Sequence, residues 1–267
     1  MIEHVNGVDL AFDEWGINGS TPPLLLLHGF LSSRSDWAST ADELSAIQHV
    51  IAFDHRGHGQ STHIGSQSAY TIGHLVADVE GFVAARGFDT VDLLGHSLGG
   101  IVAMHYALAR PERVRSMVLL NTTAEPTDPT PPHVIGRLAE LGRSRGMPGL
   151  GRLLEQIGDP SRAVRDEEQR ARYRFDVGRC DVEAFAALGV EIGTHASMLQ
   201  DLGSLRIPVT VMVGENDTPV REGCAAVAAS IPRSRLVVIP GAAHLPHLQS
   251  RDQWLKSMSE HQLWVAE

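Results

Sequence analysis

Cysteine is nearly absent: Cys180 and Cys224 are the only two in 267 residues. That is too few for a disulfide framework, and their surroundings lack the ligand spacing of a zinc site. Lysine is scarcer still, with Lys256 alone among 22 basic residues that are otherwise arginine. Acids outnumber bases and leave a formal net charge of −10. A surface of that sign lacks the basic face that grips a phosphate backbone, so no nucleic-acid partner is expected. No apolar run approaches the about 20 residues of a membrane-spanning helix. The opening "MIEHVNGVDLAFDEWG" carries acids and no basic, apolar-core signal pattern. A cytoplasmic protein without a membrane partner is the expectation. Repeats and low-complexity tracts are missing too, apart from one stretch rich in proline and threonine.

What is present suits a globular chain. Hydrophobic residues reach 43%, ample for a buried core, and charged residues at 20% argue against disorder. The length fits one large domain, or one domain with an insertion.

Short apolar runs alternate with helical patterns. "GVDLAFDEWG", "PLLLLHG", "HVIAFD", "TVDLLG" and "RVRSMVLLN" read as strands. Between them "DWASTADELSAI", "TIGHLVADVEGFVAAR" (capped by Thr71) and "SLGGIVAMHYALARP" read as helices. Continuous apolar strands alternating with amphipathic helices signal a mostly parallel sheet covered on both faces. From about Thr122 to Leu205 the alternation stops. "TTAEPTDPTPPH" reads as a linker, and the segment after it is helical and arginine-rich. At "PVTVMVG" strands and helices resume, with "REGCAAVAASI", "RLVVIPG" and a last helix from about Gln249. The division expected is a core of residues 1–121 and 206–267 with a helical cap, 122–205, over the carboxyl ends of the strands, where open α/β sheets bind ligands.

Gly95-His96-Ser97-Leu98-Gly99 fits G-x-S-x-G between a strand and a helix. A strand that turns sharply into a helix should hold Ser97 at positive φ, and its neighbours must lack side chains for strand and helix to approach. A serine hydroxyl needs a base to take its proton and a third group to orient that base. His244, in a loop past the last apolar strand, is the candidate base; His247, nearby, is assigned to packing or capping. Asp217 is the candidate acid, after the strand ending at Gly214 and before Thr218-Pro219; Glu215 is its rival. Asn121, at the other common place for the acid, is no carboxylate. Backbone N–H groups of Phe30, in "LLLLHGF", and Leu98 are the candidate oxyanion hole. His28 is expected to hold that loop.

These parts resemble the α/β-hydrolase fold superfamily, in particular its carboxylesterase and lipase-like members with a helical cap. The likeness rests on "LLLLHGF", "FDHRGHGQS", "LLGHSLGG", "VGENDTPV" and "GAAHLPHLQ", in that order along nearly the whole chain. It implies a doubly wound, mostly parallel eight-stranded sheet, with Ser97, Asp217 and His244 as triad and Phe30 with Leu98 as oxyanion hole. In the second motif it implies a structural loop stiffened by Asp54 and Arg56.

The function expected is a serine carboxylesterase cleaving small to medium esters through an acyl-enzyme, with no metal or organic cofactor. The partner expected is a small ester or lactone; the chain would be a monomer or homodimer. Lactonases, carbon–carbon bond hydrolases and cofactor-free perhydrolases share the triad and stand as alternatives; a ligand-binding receptor with weak turnover is a further one. Relatives that carry aspartate at the nucleophile, the haloalkane dehalogenases and epoxide hydrolases, are disfavoured by Ser97. Phe30 and Leu98 are expected at the substrate, and Met147 and Phe175 in the pocket lining. "RDEEQRARYRFDVGR" is expected to be a solvated face.

Overall fold

The structure, a computed structural model, describes residues 1–17, 19, 21–126, 130–157 and 167–267. Parts of three stretches, the proline-threonine linker (127–129), the end of "GLGRLLEQIG" (158) and the start of "RDEEQRARYRF" (165–166), lie outside the described residues.

Eight strands among the described residues form one sheet: β1 (Ile2–Val5), β2 (Val8–Trp15), β3 (Leu24–Leu27), β4 (Val50–Phe53), β5 (Val91–His96), β6 (Val114–Leu120), β7 (Val209–Gly214) and β8 (Ser234–Ile239). Their order is β1-β2-β4-β3-β5-β6-β7-β8. Only the β1–β2 and β2–β4 pairings are antiparallel. The period of two divides the leucine run of β3 between two cores. Leu25 and Leu27 enter one beneath the helices of the first face, and Leu24 and Leu26 enter the other with Trp37, Leu44 and Trp254.

The helices are α1 (Ala41–Ser45), α2 (Ile72–Ala85), α3 (Leu98–Ala109), then α4 (Pro132–Arg145), α5 (Met147–Ile157), α6 (Glu167–Gly178), α7 (Val182–Ile192) and α8 (Leu199–Leu202) between β6 and β7, and finally α9 (Thr218–Ser230), α10 (Pro246–Gln249) and α11 (Arg251–Ala266). α2 shows why such segments coil. Thr71 Oγ1 accepts the His74 N–H at 3.1 Å, and Ile72, Leu75, Val79 and Phe82 fall on one buried face. No helix among the described residues is long and apolar enough to cross a membrane.

Two elements differ from the sequence reading. β1 was not anticipated; Asn6 and Gly7 both take positive φ, 52° and 76°, and close a tight hairpin that adds it at the sheet edge. The helix read in "DWASTADELSAI" is broken into a 3-10 turn, Arg34–Trp37, and the short α1. Trp37 is fully buried against His247 and Trp254, and Thr40 Oγ1 donates to the Trp37 carbonyl at 3.1 Å, drawing the chain out of helical register.

The helices between β6 and β7 are tied to the rest by buried polar contacts. Asp181 accepts from Tyr70 Oη at 2.5 Å and from the Gly65 N–H at 2.8 Å; Ser33 Oγ donates to Asp176 at 2.8 Å. The "DHRGHG" loop is stiffened as expected. Asp54 accepts the Arg34 N–H at 2.7 Å and the Gln60 N–H at 2.8 Å, and Arg56 pairs with Asp78 at 2.6 Å.

Histidines are buried in unusual number. His28, His55 and His58 pack ring on ring, with His28 4.4 Å from His55 and 5.2 Å from His58 between centroids. His28 Nδ1–H donates to the Gly29 carbonyl at 2.8 Å while its Nε2 accepts the His55 N–H at 3.0 Å, the loop-holding role expected of it. Among the described residues no three His, Cys, Asp or Glu are arranged to hold a metal ion. Burial lowers His28 and His261 to about 4, lowers His58 and His96 to about 3, and pushes His55 and His247 well below the ordinary imidazole value.

These rings stay neutral when folded and gain a proton when unfolded. Each therefore removes stability as pH falls from about 6.5 toward its folded value, with a slope of about 1.4 kcal/mol per pH unit. Asp36 and Asp176 are raised and act in the opposite sense, but they are two against six. Thermal unfolding followed by circular dichroism should show Tm lower at pH 5.5 than at pH 7.5 by on the order of 10 °C. A flat or rising Tm would contradict neutral burial.

Candidate active site

Ser97 lies between the end of β5 and the first residue of α3, at φ 51° and ψ −117°. A non-glycine residue there is strained, and the surroundings must hold it. A Cβ on Gly95 would sit 2.6 Å from the Gly100 Cα, and one on Gly99 would overlap the Leu27 carbonyl oxygen. Glycine is thus demanded by close approach of α3 to β5 and β3. Two hydrogen bonds fix the strained residue: its N–H donates to the Leu120 carbonyl at 3.0 Å, and Thr122 Oγ1 donates to its carbonyl at 2.8 Å. Leu98, in the first turn of α3, has no helical acceptor for its N–H.

Asp217 and His244 come together from the ends of β7 and β8. His244 Nδ1 is 2.7 Å from Asp217 Oδ2. An ionised carboxylate only accepts, so Nδ1 carries the hydrogen and Nε2 keeps its lone pair. Asp217 is 5% exposed. Burial pushes its carboxyl up, but the His244 hydrogen bond and charge, with the Asn121 amide, outweigh burial and leave it below the ordinary value. Glu215 turns elsewhere, accepting the Gly241 N–H at 2.9 Å. His247 is buried on Trp37 and Trp254, the packing role expected of it. Ser97 and His244 share the walls of one cavity, without a hydrogen bond of their own among the described residues.

Three neighbours escaped the sequence reading. Asn121, set aside there as unable to serve as the acid, takes positive φ of 45° and holds Asp217 instead. Its Nδ2 donates to Asp217 Oδ2 at 2.5 Å and to the Ala243 carbonyl at 3.1 Å, while its Oδ1 accepts the Gly214 N–H at 3.3 Å. Its place at the end of β6 was the available signal. Gln249 Oε1 accepts from the N–H groups of Ala243 and Leu245 at 2.7 and 3.3 Å, bracketing the loop that carries His244. His96 Nε2 lies 2.8 Å from the His244 carbonyl oxygen.

The cavity opens to both sides of Ser97. One lobe of about 270 Å³ runs past Leu154, Phe185 and Leu248 to Asp36, Arg172 and Asp176. The other, about 210 Å³, is lined by Thr122, Thr123, Glu125 and His195. Phe30, Ser97, Thr130, Ile135 and His244 border both. Asp176 is pushed up to about 7 by burial and by the charge of Asp36.

Several expectations about the lining fail. Phe30 faces the cavity, stacked on Phe185 at 5.7 Å, but the Leu98 side chain is 1% exposed and enters the core where α3 packs on the sheet. Phe175 is 60% exposed, on the outer side of α6. Met147 is buried against Gly142, filling the gap between α4 and α5. The charged stretch is only partly solvated, since Arg172, Tyr173 and Asp176 turn from α6 toward the cavity.

A strained serine on a strand-to-helix turn, an Asp–His pair brought from two later strand ends and an adjoining cavity thus meet at one place. The family model for the alpha/beta hydrolase fold matches residues 22–250, and the chain belongs to that family. Among relatives, epoxide hydrolase 3 of Siraitia grosvenorii is 34% identical over 147 residues, covering 53% of this chain and 46% of that protein. The pimeloyl-acyl-carrier-protein methyl ester esterase of Chromobacterium violaceum is 28% identical over 254 residues, covering 91% and 95%. A thermophilic esterase from Thermogutta terrifontis superposes with a TM-score of 0.85 at 29% identity, over 99% of this chain and 97% of that one. The chain is a hydrolase of this fold, and its relatives differ in substrate.

Gly99→Ala tests the close approach at the turn. Its added methyl meets backbone rather than a movable side chain. The variant should lose on the order of 3 kcal/mol or more of stability in urea unfolding. An unchanged midpoint would show that α3 does not approach β3 as described.

Proposed function

We propose that this protein is a serine carboxylesterase that cleaves small to medium esters, with Ser97 as nucleophile, His244 as base and Asp217 as the acid that orients it. The observation that carries this reading is the 2.7 Å Asp217–His244 hydrogen bond on the rim of the cavity that holds strained Ser97. His244 Nε2 takes the Ser97 proton as Oγ attacks the carbonyl carbon. The oxygen of the tetrahedral intermediate is held by the N–H groups of Phe30 and Leu98, where the N-terminus of α3 adds favourable dipole. The protonated imidazole then gives its proton to the departing alkoxide, and an alcohol leaves. Water, deprotonated by His244, hydrolyses the acyl-enzyme and restores Ser97.

The two lobes on either side of Ser97 give separate room to the acyl and alcohol parts of an ester. The helices between β6 and β7 act as the cap that selects between them, with Ile135, Leu138 and Leu154 in the larger lobe. Likeness to two esterases supports the assignment. Serine at position 97 sets the chain apart from hydrolases that attack with aspartate. A lactone is an internal ester and would follow the same steps with its alcohol still tethered, so lactonase activity is the second reading.

On p-nitrophenyl butyrate, Ser97→Ala should abolish turnover with an unchanged circular-dichroism spectrum. Asp217→Asn should lower kcat by about 10³–10⁴, because the amide no longer enforces the tautomer with Nε2 free. Undiminished turnover by Ser97→Ala would refute the assignment. A panel of acyl esters, lactones and vinylogous diketones separates this reading from its alternatives.

A further inference from the structure

Resting on the serine-hydrolase reading, we infer that His96 is a positioning residue that sets the distance between nucleophile and base. It is the last residue of β5, one before Ser97, and is 3% exposed. Its Nε2 lies 2.8 Å from the backbone carbonyl oxygen of His244. A carbonyl only accepts, so Nε2 carries the hydrogen, and a neutral ring leaves Nδ1 bare. That Nδ1 is buried with no hydrogen-bond partner, and a Cβ on Gly29 would lie 2.8 Å from it. The imidazole is therefore wedged between the loop that carries the proposed oxyanion donor and the loop that carries the base.

Other bonds hold the His244 loop, but they come from elsewhere: Asn121 on the Ala243 carbonyl and Gln249 on the Ala243 and Leu245 N–H groups. Among the described residues, the His96 bond is the one that joins the loop to the strand end bearing Ser97. Displacing a reacting group by about 1 Å can lower a rate about 10²-fold, so a rigid spacer at this joint has a large effect on chemistry and a small one on binding.

The charge state of His96 serves the same end. Its ring is 4.9 Å from that of His244 and 5.4 Å from that of His247. Burial first, then the facing His244 and His28, lower it to about 3, against the opposing pull of Asp217 and of its bond to the His244 carbonyl. His247 is itself held neutral by burial. A positive His96 would oppose the imidazolium that His244 must become; a neutral one does not.

His96→Ala, His96→Asn and His96→Gln, compared on p-nitrophenyl butyrate, test the proposal. The Gln amide nitrogen reaches about as far along the side chain as imidazole Nε2, and the Asn amide only as far as Nδ1. Ala and Asn should lower kcat by about 10–100-fold with KM changed less than about threefold. Gln should restore kcat to within about fivefold of the unaltered enzyme. His96→Ala with kcat within about twofold of the unaltered enzyme overturns the proposal, as do equal rates for Asn and Gln. If Ala does not fold, the Gln and Asn pair decides by the same criterion. Failure of all three to fold assigns His96 to packing and overturns it as well. Ser97→Ala distinguishes the two levels: an active Ser97→Ala refutes the hydrolase mechanism, whereas an inactive one beside unaffected His96 variants removes the positioning role alone.

Discussion

The close approach of α3 to the ends of β3 and β5 governs this molecule. It leaves no room for side chains at Gly95 and Gly99, and it forces Ser97 into positive φ, where serine is not at rest. The strain persists because neighbouring elements over-determine it: Leu120 accepts the Ser97 N–H and Thr122 holds its carbonyl. The hydroxyl is thereby presented at the carboxyl edge of a parallel sheet, beside the positive end of a helix. Every other part of the site is arranged around a point that this packing fixes.

Around that point the proton positions obey simple donor and acceptor rules. Asp217 can only accept, which sets the tautomer of His244 and frees its Nε2. The carbonyl of His244 can only accept, which sets the opposite tautomer in His96. Burial keeps His96, His247 and the His28–His55–His58 cluster uncharged, whereas His244 at the same site has the Asp217 carboxylate as its partner. The same burial ties stability to pH, because each of these neutral rings gains a proton on unfolding once pH falls below about 6.5.

Much of this was legible in the chain itself. The apolar runs that became β3, β4, β5, β6 and β7 are buried almost end to end, and burial on both faces is what an uninterrupted apolar run encodes. That Asp217 and His244 meet follows from the same pattern, since each sits just past such a run, where the loops of a parallel sheet converge. What was missed depended on partners distant in sequence. Asn121 was judged by its own chemistry, which is not that of an acid, whereas its role comes from Asp217, 96 positions away. Met147, Phe175 and the Leu98 side chain were misplaced because an amphipathic helix does not announce which neighbour its apolar face meets. Arg172 and Asp176 looked like a solvated face because charge at helical spacing is the same whether the helix borders water or a cavity.

Local order alone determined the alternation of strands and helices, the glycine-serine turn and the succession Ser97, Asp217, His244, since each depends on residues within a few positions of one another or on their sequence along the chain. Tertiary structure alone decided which side chains line the two lobes, which histidines lose their charge and which groups hold Asp217 and His244. Those properties arise from distances and desolvation between segments that meet only when the sheet is assembled, and no single segment carries them.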